Sequence, residues 1–154
     1  MSKLRRKDRA IIEEEAKALL NKAEYGVLST VAENGKPYGV PLNFCIIDHC
    51  IYFHCAVEGQ KIYNIKQNNS VSFCTVGNTE TLPDKFGTKY ESVIVSGEVE
   101  EIFYMNKQIA LEGLLHKYSP EFFDEGIKYI EGLEDKTRVF KIVINKLTGK
   151  ARKQ

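Results

Sequence analysis

A chain of 154 residues with 43% hydrophobic and 28% charged content can bury a core as one domain, spanning 1–154, without disulfide or metal staples. A formal net charge of +1 argues against a general polyanion binder, so no nucleic-acid partner is expected although the start, KLRRKDR, is locally basic. No apolar run reaches transmembrane length and the polar N-terminus is unlike a signal peptide, so a soluble cytoplasmic protein without a membrane partner is expected.

Asp8 is placed to cap a helix over about 8–22, with Ile12, Ala16, Leu19 and Ala23 on one face. From Tyr25 the period changes to two, and Tyr25 to Ala32 reads as a strand. Asn34-Gly35 signals a type I′ hairpin turn into a second strand, about Pro37 to Ile47. Asp48 and His49 make the next turn, and Ile51 to His54 is a short third strand. A helix from Gly59 to Gln67 closes at Asn68-Asn69, before a fourth strand from Val71 to Val76. Gly77 to Thr88 reads as a loop, Tyr90 to Glu101 as a long fifth strand, and Val139 to Asn145 as a sixth. Between the last two, Leu111, Leu114, Leu115 and Tyr118 repeat at helical spacing, and Ser119-Pro120 starts a further helix to roughly Glu131. Consecutive hairpins with peripheral helices imply an α+β, mainly β fold: a six-stranded antiparallel barrel.

The four cysteines, Cys45, Cys50, Cys55 and Cys74, form no C-x-x-C pair and match no usual zinc spacing. His49 and His116 give no metal spacing with His54, so no metal is expected. His54 and Cys55 are neighbours on a strand and point to opposite faces, which argues against a Cys–His dyad.

The stretch YFHCAVEGQKIYNI ends a strand at His54 and enters a helix at Gly59 with Lys61 in its first turn. Free N–H groups there, a lysine charge and the small Ala56 and Gly59 suit an anion such as phosphate. An ordinary turn with a solvated lysine fits the same residues, and no P-loop or G-x-G-x-x-G pattern is present. Asn43, the polar residue in VPLNFCII, is either the partner of a flat heterocycle or an amide satisfying the backbone at a bulge, where Pro41 removes a ladder donor. Ser92, in KYESVIVSGEVE, alternates with apolar neighbours and by itself signals little.

RRKDR, YGVLSTVAENGKPYGVPLNF, IYFHCAVEGQKIYNI, YESVIVSGEVE and LTGK fall in an order and spacing that covers nearly the whole chain. In these segments the sequence resembles the pyridoxamine 5′-phosphate oxidase-like flavin-binding split barrels, and among them the nitroimidazole-resistance (Nim-like) branch. The resemblance implies a split barrel, a homodimer and FMN in clefts at the dimer interface. Carried over residue by residue, it sets Pro41, Leu42 and Asn43 near the isoalloxazine ring. Phe53, His54, Cys55 and Ala56 would pass beneath the cofactor, Lys61 would meet its phosphate, and Ser92 and Val93 would add contacts from the long strand.

Two residues depart from that pattern: relatives often carry serine at Cys55 and a second lysine at Gln60. The chain ends at GKARKQ without the C-terminal substrate segment of true pyridoxamine 5′-phosphate oxidases, which turns the expectation away from vitamin B6 oxidation. The implied activity is an FMN-dependent oxidoreductase acting on nitroaromatic compounds. A small-molecule substrate and a transient NAD(P)H or other donor would be its partners, and His54 would polarise the substrate. The alternative is a flavin- or haem-binding protein without turnover, with His54 or His116 as an axial ligand.

Overall fold

The computed structural model describes residues 4–154, so Lys3 of the basic start lies outside the described residues. The strands are β1 (Gly26–Val31), β2 (Pro37–Leu42), β3 (Cys45–Ile47), β4 (Cys50–Cys55), β5 (Ser70–Val76), β6 (Glu80–Leu82), β7 (Gly87–Ile102) and β8 (Arg138–Arg152). The helices are α1 (Glu13–Lys22), α2 (Gln60–Gln67), α3 (Tyr104–Tyr118) and α4 (Phe123–Leu133). All strand pairs are antiparallel, in the order β2-β1-β5-β7-β8-β4-β3, with β6 attached to β7.

The two ends of that order are joined by two residues. β2 stops at Leu42 and β3 starts at Cys45, so only Asn43 and Phe44 separate one edge of the sheet from the other. Three Cα steps span at most about 11 Å. The sheet must therefore roll up until its edges meet, leaving one seam: a split barrel of α+β class. Eight strands replace the expected six for two local reasons. The predicted Pro37–Ile47 strand breaks at this seam, and the predicted loop after β5 contains the short β6 paired with the start of β7.

Inward residues of β1, β4, β5, β7 and β8 fill the barrel, with Leu28, Ile51, Phe53, Phe73, Val93, Val95 and Ile142 fully buried. A second core forms where α3 and α4 cover the outside of β3, β4 and β8 around Cys45, Leu111, Leu114 and Val139. Gly113 permits that approach, because a Cβ there would lie 2.9 Å from Ile47 Cδ1 and 3.1 Å from Cys45 Sγ.

Three local expectations are revised. The N-terminal helix begins at Glu13; Asp8 sits in a short 3₁₀ turn paired with Arg6 at 2.7 Å and caps nothing. The segment between them instead lies against the end of β8, with the Ile11 N–H donating to Gly149 O at 3.2 Å, and it leaves Ile12 exposed. The Asn34-Gly35 hairpin is not type I′. Gly35 donates to Ala32 O and alone takes positive φ (83°), the three-residue loop with a left-handed glycine closing a bulge. A type I′-like turn occurs at Asp48-His49, where both φ values are positive (48° and 63°). Finally, β8 runs seven residues past Asn145, because β7 pairs with it through Arg152 across a bulge next to Gly97.

The seam is pinned by the end of α3. The Phe44 N–H donates to Tyr118 Oη at 3.0 Å, and the Tyr118 hydroxyl donates to Glu24 O at 2.6 Å, tying the segment before β1 to the start of β3. Lys117 Nζ donates to Phe44 O at 2.9 Å and lies 3.7 Å from the centroid of the Phe44 ring. Tyr118→Phe should therefore lower stability by about 1–3 kcal/mol, since it strands a backbone donor and a backbone acceptor together. A urea midpoint equal to wild type would show that the hydroxyl does not hold the seam.

Candidate functional site

β4 alternates as its sequence dictates: Ile51, Phe53 and Cys55 face the barrel interior, while His54 is exposed on the outer face. The β3–β4 pairing ends at Cys45 opposite Tyr52, and Asn43, two residues before β3, lines the same cavity as His54. Asn43 is exposed in the seam rather than buried, which removes the need for a buried amide partner. Together with Cys55 and Ala56, these two residues form one wall of a cavity of about 450 Å³ whose other walls come from α3, α4 and the turn after α4. A neighbouring recess, with Lys117 and Glu24, shares Asn43 and Tyr118 with it.

The turn from β4 into α2 is set by polar contacts around the buried Asn64. Asn64 is fully buried, donates to Thr30 Oγ1 at 3.0 Å and accepts from Gln60 Nε2 at 2.7 Å. Gln60, where relatives often carry lysine, is thus occupied in anchoring α2 to β1. Gly59, the residue before α2, has φ 152° and ψ 165°, a region essentially reserved for glycine, and a Cβ there would meet nothing within 4 Å. Open space therefore lies in front of the first turn. Arg138 fixes the other side: it pairs with Glu101, with Nε to Oε2 at 3.0 Å, and donates from Nη1 to Val57 O at 3.3 Å.

Lys61 stands half-buried in that first turn and joins no ion pair among the described residues. It is close enough to His54 to matter electrostatically. Desolvation lowers the His54 pKa from its ordinary value, and the Lys61 charge lowers it further, so the imidazole is neutral at pH 7. Burial raises the Cys55 thiol, which disfavours its thiolate form. Lys117 is lowered to about 8, first by desolvation.

The remaining predicted site residues are dispersed. Pro41 and Leu42 end β2 opposite Val27 and Gly26, next to the seam. Phe53 is fully buried and stacks on Phe140 at 5.5 Å, and Val93 is fully buried, so neither side chain can touch a cofactor. Ser92 is half-buried on the outer face, but it pairs with Lys150, whereas His54 pairs with Val139. Eleven positions along β8 separate those partners, roughly 35 Å of strand. Within one chain Ser92 and Val93 therefore do not meet His54 and Lys61. His49 lies in the β3–β4 turn, and exposed His116 stacks on Phe123 at 4.3 Å, outside the cavity. Among the described residues no group of three or more His, Cys, Asp or Glu could hold a metal ion, and no helix is long and apolar enough to cross a membrane.

Sequence reasoning missed Lys117, Tyr129 and Lys136, and the role of the Tyr118 hydroxyl. The leucine repeat of α3 was legible. That its outer end closes a cavity against β4 depends on packing, for which the sequence carries no signal.

A rolled antiparallel sheet with one seam, carrying a helix-roofed cavity beside it, defines the split-barrel class. The chain belongs to the pyridoxamine 5′-phosphate oxidase family, whose model matches residues 13–151. No curated protein matches it. Among solved structures it is similar to a proposed 5-nitroimidazole antibiotic resistance protein from Bacteroides thetaiotaomicron, with 24% identity and a TM-score of 0.75 over 92% of this chain and 85% of that one. A conserved hypothetical protein from Mycobacterium tuberculosis is similar at 19% identity and TM-score 0.82, over 97% and 90% of the two chains. An FAD- and haem-binding protein from Mycobacterium smegmatis is similar at 14% identity and TM-score 0.76, over 93% and 72%.

Lys61→Gln should raise the His54 pKa, though not fully to the ordinary value, because desolvation is the larger cause. An NMR titration of the imidazole checks this. An unmoved His54 would mean that the two side chains do not share a site.

Proposed function

We propose that the chain binds FMN along the outer edge from Lys61 past His54 to Asn43, and acts as an FMN-dependent oxidoreductase of the nitroimidazole-resistance branch. The observation that carries this reading is that His54 and Asn43 share one cavity wall, next to an unpaired Lys61 with open space before its helix. The donor set suits a phosphate monoester: one ammonium, the first backbone N–H groups of α2, and no carboxylate paired to Lys61. When bound, the flavin supplies the redox chemistry. The chain's own residues bind and orient. Lys61 neutralises phosphate charge, neutral His54 offers an N–H or a lone pair at the wall, and Asn43 presents an amide to the ring edge. The acceptors on this reading include nitroaromatic compounds, and a nicotinamide donor binds transiently.

The same proposal includes a homodimer. Pro41, Val27, Cys74 and Ile94 lie in register across four strands on the outer face, with Val27 36% and Ile94 41% exposed. Ser92 faces the same way two residues from Ile94. A second copy packed on this strip would bring its own Ser92 toward a site that one chain leaves incomplete. A second reading, haem in place of flavin, is supported by His54 at the cavity wall and by the similarity to a flavin- and haem-binding protein.

An absorbance spectrum of the protein as purified, followed by identification of any released chromophore, separates the two. Lys61→Ala should weaken FMN binding by about 1.5–3 kcal/mol and riboflavin binding far less, since the lost contact is to phosphate. Equal losses for both flavins would remove Lys61 from the phosphate site. Sedimentation should give a dimer at micromolar concentration, and a monomer that retains flavin would contradict the interface.

A further inference from the structure

The cavity under α3 and α4 is only partly used by the flavin reading. Lys61, Pro41 and Leu42 do not line it; Asn43, His54, Cys55 and Ala56 do, as one wall shared with the proposed flavin path. The opposite walls belong to the helical segment between β7 and β8. Leu111, Leu114 and Ile130 supply buried apolar surface, and Tyr129 adds an aromatic ring. A volume of about 450 Å³ suits a one- or two-ring organic molecule.

None of its polar groups is anionic. The lining contains no Asp or Glu side chain, whereas it includes the Lys136 ammonium, the His54 imidazole and the Ser119 and Thr137 hydroxyls. Lys136 joins no ion pair among the described residues, although Glu134 and Asp135 precede it in the chain. An apolar slot with an unpaired cation at its rim and no competing carboxylate attracts an anion on an apolar body and repels a cation.

We infer that this cavity is a binding site for aromatic carboxylates: the ring lies between the α3 leucines and the Tyr129 side of α4, and the carboxylate meets Lys136. Lys136 and the residues of α4 thereby become determinants of which small molecule reaches the His54 wall. The inference deepens the proposed oxidoreductase reading by naming the ligand class beside the flavin, but the binding it describes does not require flavin.

The test is calorimetric binding of 2-naphthoate and of the neutral 2-naphthamide to the full-length protein, as purified and after saturation with FMN. One naphthoate should bind per chain, about tenfold more tightly than naphthamide, equivalent to about 1.4 kcal/mol. Lys136→Gln should abolish that preference and leave naphthamide binding unchanged, while Leu133→Trp, which fills the slot, should weaken both probes. Equal affinities for the two probes in wild type, or an undiminished preference in Lys136→Gln, would overturn the assignment. So would one-for-one displacement of naphthoate by FMN, which would make the cavity the flavin ring's own site. A protein that takes up no FMN yet shows the naphthoate preference would sink the flavin reading and leave this inference standing.

Discussion

The seam at Asn43–Phe44 is the constraint on which the rest of the structure depends. A sheet whose first and last strands are consecutive in the chain has to curl until they touch, and the touching edges leave backbone groups that a continuous ladder would have paired. Tyr118 and Lys117 satisfy Phe44 from the end of α3, and the same tyrosine hydroxyl reaches the Glu24 carbonyl just ahead of β1. The barrel is thus closed by a helix encoded far downstream. An unmet buried backbone group costs on the order of a few kcal/mol, which is a large fraction of a domain's net stability.

The site follows from that closure. Holding α3 against the seam places its apolar face over the outer side of β3 and β4, and the space left past the end of β4 becomes the cavity bounded by His54 and Asn43. The barrel packs its own interior with the fully buried Phe53, Phe73, Val93 and Val95. The cavity accordingly lies outside the barrel, where β4 ends and α3 and α4 cover it. The Gln60–Asn64–Thr30 chain, buried at Asn64 and Thr30, serves the same purpose at the other side, fixing the helix that carries Lys61.

Most strands and all four helices could be read from the sequence, though not all their ends, since period-two alternation in β1, β4, β5 and β7 and the leucine spacing of α3 are local consequences of one face being buried. The misreadings share a cause. Asp8 has the chemistry of a helix cap, yet its segment lies against β8; Asn34-Gly35 has the chemistry of a tight turn, yet the hairpin register inserts one more residue. At Asp8 the partner lies far along the chain in β8, and at Asn34-Gly35 the Ala32–Lys36 closure sets a three-residue loop; each outweighed a preference worth about 1 kcal/mol. The site was legible in part for the same reason: His54, Ala56 and Lys61 follow one another along a single strand-to-helix turn, and local sequence orders them.

What the sequence by itself determined is the kit of elements, the outward direction of His54 against inward Cys55, and the family pattern running through five segments. Those depend on spacing within a few residues, which the chain states directly. Only the tertiary structure decided that Asn43 shares a cavity wall with His54, that α3 and α4 roof the space beside them, and that the β8 partners of Ser92 and Val93 lie eleven and ten residues from the partner of His54. Each of those facts is a distance between segments far apart in sequence. Such distances are fixed by strand register and by the closing of the seam, neither of which any local pattern encodes.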